Sequence, residues 1–252
     1  MPIAPAQIDL WLAREGPLRA PELQAQLERD LSADDRARIE RMRFPDGRHQ
    51  QRVTRALVRH ALSHYLPAVP PADWRFEEGE MGRPSIAQDM PPEAQRLQFN
   101  IGHTQGLVVM AVGLMPALGV DVERITEKVP LEVARRYFST REIAGLDALP
   151  DADKARRFQR LWTLKESYLK AVGTGISGGL GSMTFHFEPG GIRFEREGDV
   201  EAPRWQFREF TVDDEHLVAI ACLDRESGTP VQVRLRDFPV RALSAPLSSG
   251  QE

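Results

Sequence analysis

Residues 160–173 read RLWTLKESYLKAVG, and this stretch predicts the central helix of the fold. At about 100° per residue, Leu164 and Tyr168 fall on an apolar arc, while Glu166 and Lys170 lie on its polar border. Glu166 and Lys170 can therefore serve one site, although a Glu and a Lys four residues apart also form an ordinary surface ion pair. Lys165 falls within the apolar arc, so its ammonium must either reach outward to solvent or meet an anion.

A second segment, residues 119–124 with the sequence GVDVER, alternates apolar and acidic side chains. The period of two predicts a half-buried strand with Asp121 and Glu123 on the same face. Two neighbouring carboxylates repel each other, and a divalent cation relieves that repulsion. Mg²⁺ in particular is held by one or two carboxylates while substrate phosphates complete its coordination. The pattern is typical either of a metal site that faces a phosphate ligand or of a solvated strand face.

A third segment, residues 99–104 with the sequence FNIGHT, precedes the apolar run LVVMAV at 107–112. The apolar run predicts a core strand, and His103 lies at its entrance. Such a histidine is either a buried side chain bonded to backbone or a ligand-binding group. Both interpretations remain open on this segment alone.

Four arginines recur along one line of a predicted helix at residues 48–65: Arg48, Arg52, Arg55 and Arg59. A solvated helix face is one interpretation of this basic stripe. The other is binding to phosphates or to an acidic partner, because guanidinium forks match phosphate oxygens bidentately.

The composition predicts an ordinary soluble globular protein. The 252 residues are 41% hydrophobic, which suffices for one large domain or two closely packed lobes. A net charge of −4 argues against a general nucleic-acid binder. No apolar stretch approaches a membrane span and no signal-like start is present, so we expect a cytoplasmic protein without membrane contact. The single cysteine, Cys222, lies in an apolar run and is expected to be a buried thiol.

The order of helical and strand patterns predicts an α+β fold. A helix is expected over residues 21–42 with an internal start at Ser32, and Ser139 with Glu142 forms a capping box that makes Glu142 a structural residue. The turn at 113–117 should join the core strand to the acidic strand as a hairpin. Further predicted elements are a helix at 131–137 and strands at 8–12, 74–76, 183–187, 192–194, 205–210 and 217–222.

Taken together, the three segments resemble the Sfp-type 4′-phosphopantetheinyl transferases, which move phosphopantetheine from coenzyme A to a serine of a carrier protein. The family patterns F-N-[IV]-S-H-[ST], G-[IV]-D-[IV]-E and W-[ST]-x-K-E-[AS]-x-x-K-x-x-G are matched in order by FNIGHT, GVDVE and WTLKESYLKAVG. The sequence Gly82-Arg83-Pro84 looks like the family's G-[KR]-P. The resemblance covers about residues 44–187. Gly102 departs from it, since it stands where the family has serine.

The resemblance implies an α+β fold of two similar lobes related by a pseudo-twofold, with the active site in the cleft between them. The N-terminal lobe would span 1–118 with the basic helix and FNIGHT, and the C-terminal lobe 119–241 with the other two motifs. Residues 242–252 are expected to form a flexible tail. The length is typical of the family's monomeric members.

The resemblance also implies the site residues. Asp121, Glu123 and Glu166 would bind Mg²⁺, with Mn²⁺ as a substitute, and Glu166 and Lys170 would be catalytic. The proton acceptor for the carrier serine would be Glu166 or a metal-bound water relayed through it. The residues expected to contact coenzyme A are Arg48, Arg83, His103, Thr104, Asp121, Lys165 and Lys170.

The sequence leaves the acceptor open among acyl, peptidyl and aryl carriers of fatty acid, polyketide, siderophore or other peptide synthesis. Tolerance of acyl-coenzyme A is open as well. A competing hypothesis is a catalytically silent module that binds coenzyme A or a carrier protein. The intact Asp121, Glu123, Glu166 and Lys170 speak against it.

Overall fold

The computed structural model describes residues 3–79, 82–175, 179–224 and 228–238. Short 3-10 turns connect several of the helices and strands. In chain order the elements are β1 (Gln7–Arg14), α1 (Pro21–Asp30), α2 (Ala33–Glu40), α3 (Pro45–Tyr65), β2 (Phe76–Glu78), β3 (Pro84–Ile86), α4 (Pro92–Gln95), β4 (Gln98–Thr104), β5 (Leu107–Gly113), β6 (Ala117–Arg124), α5 (Leu131–Tyr137), α6 (Thr140–Asp147), α7 (Asp151–Val172), β7 (Met183–Glu188), β8 (Gly191–Arg196), β9 (Trp205–Val212), β10 (His216–Leu223) and β11 (Gln232–Asp237).

Two sheets dominate the fold. The first has the strand order β11-β1-β5-β4, in which β11 runs parallel to β1 and the other pairs are antiparallel. The second has the antiparallel order β6-β10-β9. The pairs β2-β3 and β7-β8 form two separate hairpins.

The two halves of the chain repeat one topology. In each half a first strand is followed by helices that end in a long one (α3 or α7), by a small hairpin, and by two antiparallel strands. In each sheet the first strand of the half pairs with its third strand, and the second strand lies on the far side of the third. The resulting orders are β1-β5-β4 and β6-β10-β9. The expected α+β class is thus confirmed. The second repeat begins at Ala117, while β11 returns to the sheet of the first half.

The core forms three apolar layers because both faces of the sheets are covered. Alternate residues of β1 point in opposite directions: Leu10 and Leu12 pack toward the second sheet, whereas Trp11 and Ala13 pack toward α1, α2 and α3. The third layer lies between the second sheet and α7. Strands β5 and β10 are therefore buried along their full length and read as continuous apolar runs.

Several predicted elements are confirmed and others need correction. Ser32 caps α2 with a capping box and so divides the predicted 21–42 helix, and Ser139 caps α6 in the same way. The strand predicted at 74–76 is wrong, because the hairpin strand begins only at Phe76. The hairpin predicted through 113–117 is also wrong, because β5 and β6 lie in different sheets. Strands β4 and β11 were not predicted. Cys222 is buried, and burial raises the pKa of its thiol to about 12. The predicted flexible tail at 242–252 lies outside the described residues.

Within the described part of the chain, none of the helices combines the length and the apolar character needed to cross a lipid bilayer.

Candidate active site

The packing of α7 on β6 depends on Gly119. A Cβ at this position would overlap the Ser167 carbonyl oxygen and lie 2.5 Å from Ala171 N, so any larger residue would push the helix away. Because α7 approaches this closely, its polar border meets the face of β6 that carries Asp121 and Glu123. The strand face predicted from the period of two is the face that α7 covers.

An ion pair joins the two elements. Lys170 Nζ lies 2.7 Å from Asp121 Oδ1 and 3.5 Å from the Ile101 carbonyl oxygen of β4. Asp121 is buried, whereas the Lys170 side chain stays 30% exposed. The structure therefore brings the WTLKESYLKAVG motif of α7 against the GVDVE motif of β6 and the edge of the FNIGHT motif of β4.

Three carboxylates share this small region. Burial raises the pKa of Asp121, against the effect of the Lys170 ammonium, and burial followed by the charge of Asp121 raises the pKa of Glu166. The same two causes raise the pKa of Glu123 to about 7. The Trp162 indole opposes these causes and lowers the pKa of Glu123 in part. The cluster thus holds more negative charge than Lys170 alone neutralises.

Two carboxylate oxygens in the cluster are buried and have no hydrogen-bond partner among the described residues: Asp121 Oδ2 and Glu166 Oε1. Hard oxygen donors of this kind, together with the mutual repulsion, fit a divalent cation such as Mg²⁺. The described residues contain no set of three Asp, Glu, His or Cys side chains already arranged as a metal site. The donor chemistry of the expected trio is therefore present without preassembled coordination.

His103 and Thr104 border the cluster at the end of β4. The His103 ring is accessible to solvent, yet neighbouring protein atoms partly desolvate it and lower its pKa, and the Lys170 ammonium lowers it further. Gly102 is packed so tightly that a Cβ would lie 3.2 Å from the Val120 carbonyl oxygen and 3.3 Å from Asp121 Cα. Glycine at this departure from the family pattern keeps β4 close to the acidic strand.

Arg83 uses its guanidinium on backbone carbonyls. Nη1 donates to Lys170 O at 2.9 Å and to Ala171 O at 2.8 Å, and Nη2 donates to Leu118 O at 3.0 Å. Its neighbours Gly82 and Pro84 line a cavity of about 200 Å³ that also borders residues of β4 and α7. The other lining residues of this cavity are Asn100, Ile101, Glu166, Leu169, Lys170, Gly173 and Gly175, together with Arg83 itself.

The expected coenzyme A contact at Lys165 is wrong for this structure. Lys165 is fully buried, and its Nζ lies 2.8 Å from Glu142 Oε2 while it donates to the carbonyl oxygens of Leu180 and Met183. The anion that Lys165 meets is an internal carboxylate on α6. Glu142 is also bonded by the backbone N–H of Ser139, as a capping box requires. Its structural interpretation is confirmed.

Three arginines of the basic stripe are occupied by acids of α1 and α2. Arg52 bonds Glu28, and Arg59 is buried with its Nε 2.6 Å from Asp35. Arg55 lies 3.8 Å from the same carboxyl group. The stripe therefore faces neighbouring helices. For these three arginines, both the phosphate-binding interpretation and the solvated-face interpretation are wrong. Arg48 bonds the Met42 carbonyl oxygen through Nε, and its two terminal nitrogens have no partner among the described residues.

The sequence did not predict the role of Asn100 in the FNIGHT motif. Its Oδ1 accepts a hydrogen bond from Val120 N at 2.9 Å and so joins β4 to β6. Tertiary contact alone reveals this bond, since the strands come from different sheets. An asparagine inside an apolar strand pattern was the available signal, because a buried amide needs a partner.

Comparisons with known proteins agree with the motif resemblance. Residues 117–221 match the 4′-phosphopantetheinyl transferase superfamily, and residues 20–114 match the N-terminal family of 4′-phosphopantetheinyl transferases. The chain is 35% identical to the 4′-phosphopantetheinyl transferase HetI of Nostoc sp., over 85% of this chain and 87% of that protein. It is 34% identical to the 4′-phosphopantetheinyl transferase psf-1 of Bacillus pumilus, over 82% and 85%.

Identity to the 4′-phosphopantetheinyl transferase Sfp of Bacillus subtilis is 30%, over 68% of this chain and 69% of that protein. The crystal structure of Thermotoga maritima holo-[acyl-carrier-protein] synthase matches 44% of this chain and 64% of that chain with 20% identity and a TM-score of 0.37. The motifs and the sequence relatives define an enzyme of the transferase class. The chain belongs to the 4′-phosphopantetheinyl transferase superfamily.

Proposed function

We propose that this enzyme transfers 4′-phosphopantetheine from coenzyme A to a serine of an apo acyl, peptidyl or aryl carrier protein, with Mg²⁺, and releases adenosine 3′,5′-bisphosphate. The observation that carries the proposal is the cluster on β6 and α7. It combines Asp121, Glu123 and Glu166 with Lys170, and two of its buried carboxylate oxygens have no partner among the described residues. Such a site suits a metal-assisted displacement at a pyrophosphate.

The charge balance of the reaction supports these assignments. The serine oxygen forms a bond to the β-phosphorus of coenzyme A, and the bond from that phosphorus to the oxygen of the adenosine bisphosphate breaks. Negative charge grows on the nonbridging and leaving oxygens. Lys170 can neutralise it, because its side chain is 30% exposed and can turn from Asp121 toward a phosphate oxygen. His103, Thr104 and Arg48 remain the proposed contacts to other phosphates.

Mg²⁺, when bound by Asp121, Glu123 and Glu166, supplies Lewis-acid neutralisation of the pyrophosphate. Asp121 Oδ2, which has no partner among the described residues, would be available to the ion, while Lys170 would serve the substrate phosphate. The serine proton would pass to Glu166, directly or through a water, by way of a carboxylate oxygen that is not used on the ion.

Intact-protein mass spectrometry of apo carrier proteins tests the proposal. Acyl and peptidyl carriers are incubated with the enzyme, coenzyme A and Mg²⁺, and a parallel sample contains EDTA. The expected result is a gain of one phosphopantetheine that EDTA abolishes and added Mg²⁺ or Mn²⁺ restores. A carrier with its acceptor serine changed to alanine is the matched control.

An unmodified mass for every carrier would favour the silent binding module, and direct measurement of coenzyme A binding would then define what is left of the function. A gain that survives EDTA would retain the transfer reaction and remove the metal from it. Sedimentation of the active species checks the accompanying proposal that the enzyme works as a monomer.

A further inference from the structure

The last turn of α7 is held by an arginine from the other half of the chain. Arg83 lies in the segment between β2 and β3, and its Nη1 donates to Lys170 O and Ala171 O. These carbonyls belong to the final turn of α7, where backbone oxygens lack partners within the helix. A guanidinium placed there satisfies them and complements the negative end of the helix dipole.

The same guanidinium also reaches β6. Nη2 donates to Leu118 O at 3.0 Å, just before Gly119 and three positions ahead of Asp121. One planar group therefore bonds the strand that carries Asp121 and the helical turn that carries Lys170. The separation of α7 and β6 determines whether Lys170 can make its 2.7 Å contact with Asp121.

We infer that Arg83 is a positioning residue, which sets the separation of Lys170 and Asp121 by clasping the backbones of α7 and β6. The fixed fork of the guanidinium suits this role, because it can donate to several carbonyls in set directions whereas an ammonium is a single donor atom. This role differs from the phosphate contact that the G-[KR]-P resemblance implies for Arg83. Three of its N–H groups already donate to protein carbonyls.

Arg36 provides a matched control within the chain. Arg36 also donates two hydrogen bonds to a carbonyl in the last turn of a helix, Glu28 O of α1. Neither bond involves β6 or α7. Lysine substitution there changes the same kind of contact without touching β6 or α7. Arg83→Lys and Arg83→Gln are therefore compared with Arg36→Lys.

The kinetic part of the inference rests on the proposed transfer reaction. Arg83→Lys should lower kcat by about ten- to a hundred-fold and leave KM for coenzyme A within about twofold, because small misplacement of catalytic groups lowers the rate of the chemical step. Arg83→Gln should lower kcat at least as far. Arg36→Lys should leave both constants unchanged. A tenfold rise in KM with unchanged kcat, accompanied by lost discrimination against dephospho-coenzyme A, would overturn the inference in favour of a phosphate contact.

Hydrogen exchange supplies a readout independent of activity. The Gly173 amide donates to Leu169 O at 2.8 Å in the last turn of α7, and both Arg83 variants should exchange it faster than wild type, with α1 unaffected. Unchanged exchange in both variants would refute the inference that Arg83 holds the last turn of α7. If wild-type enzyme transferred no phosphopantetheine at all, the proposed function would fail, and the exchange result would still decide whether Arg83 holds α7.

Discussion

At the scale of single residues, neighbouring lysines of one motif have opposite roles. Lys165 is fully buried against Glu142, while Lys170 is partly exposed and meets Asp121. Both carry the same charge, so the difference comes entirely from which side of α7 each occupies. The helical period predicted that Lys165 falls in the apolar arc and Lys170 on its border, but it did not predict that the anion met by Lys165 is Glu142 rather than coenzyme A.

Lys165→Met should therefore destabilise the fold. The change leaves Glu142 as a buried charge without its cation, which costs about 3–5 kcal/mol of unfolding free energy. Lys170→Met should cost less than Lys165→Met, because the Lys170 side chain is 30% exposed, but it should abolish most transfer. Urea denaturation and carrier modification measure the two effects. A stable Lys165→Met enzyme with a raised KM for coenzyme A would contradict the structural role.

Substitution of the three carboxylates should affect transfer much more than stability, the opposite of what is expected for Lys165. Asp121→Asn, Glu123→Gln and Glu166→Gln remove charges from a mutually repulsive cluster, so the unfolding free energy should change by less than about 1 kcal/mol. Transfer should fall at least about 100-fold for each because metal binding weakens. Glu127→Gln, an exposed carboxylate just beyond β6, is the control. Undiminished transfer by all three variants would remove the metal assignment.

At the scale of elements, the site exists because α7 and β6 approach each other closely. Gly119 permits the approach, and Asn100 joins the same strand to β4. The alternating pattern predicted which face of β6 carries the acids, and the capping residues predicted where α2 and α6 begin. No local pattern predicted which element would cover the acidic face, because that depends on the packing of the third core layer, between the second sheet and α7.

Gly119→Ala should displace α7 from β6. The added methyl group meets the backbone at Ser167 and Ala171, which cannot rotate away, so we expect a loss of about 1–3 kcal/mol and a large loss of transfer. Gly145→Ala on the exposed face of α6 is the matched control. No atom lies within 4 Å of its added Cβ, and it should stabilise the helix by about 0.5–1 kcal/mol. Full activity and stability in Gly119→Ala would show that α7 can shift freely.

At the scale of the whole molecule, the chain returns to its starting sheet. Strand β11 pairs parallel to β1, and Arg234 and Arg236 of β11 both bond the buried Asp9 of β1, which also accepts from Tyr65 of α3. Burial alone would raise the pKa of Asp9. The hydrogen bonds from Arg234, Tyr65 and the other donors outweigh burial and lower it to about 2.

The Asp9 network predicts a pH-dependent part of the stability. Because the pKa of Asp9 is lower in the folded than in the unfolded chain, its contribution is complete above about pH 4 and declines as the pH falls toward about 2. Asp9→Asn should lower the unfolding free energy by about 2 kcal/mol at pH 7. Urea titrations from pH 7 to pH 3 should show the gap to wild type narrowing below pH 4. A gap that stayed constant to pH 3 would exclude this network as its source.

The sequence by itself determined the α+β class, the starts of α2 and α6, the shared face of Asp121 and Glu123, and the placement of Glu166 beside Lys170 on one helix border. These features follow from backbone periodicity and capping, which involve residues only a few positions apart. Only the tertiary structure decided that Lys165 meets Glu142, that Arg52 and Arg59 pair with α1 and α2, and that β11 joins the first sheet. Those contacts join residues far apart in the chain, and the packing of the layers selects among the many acids that each cation could have met.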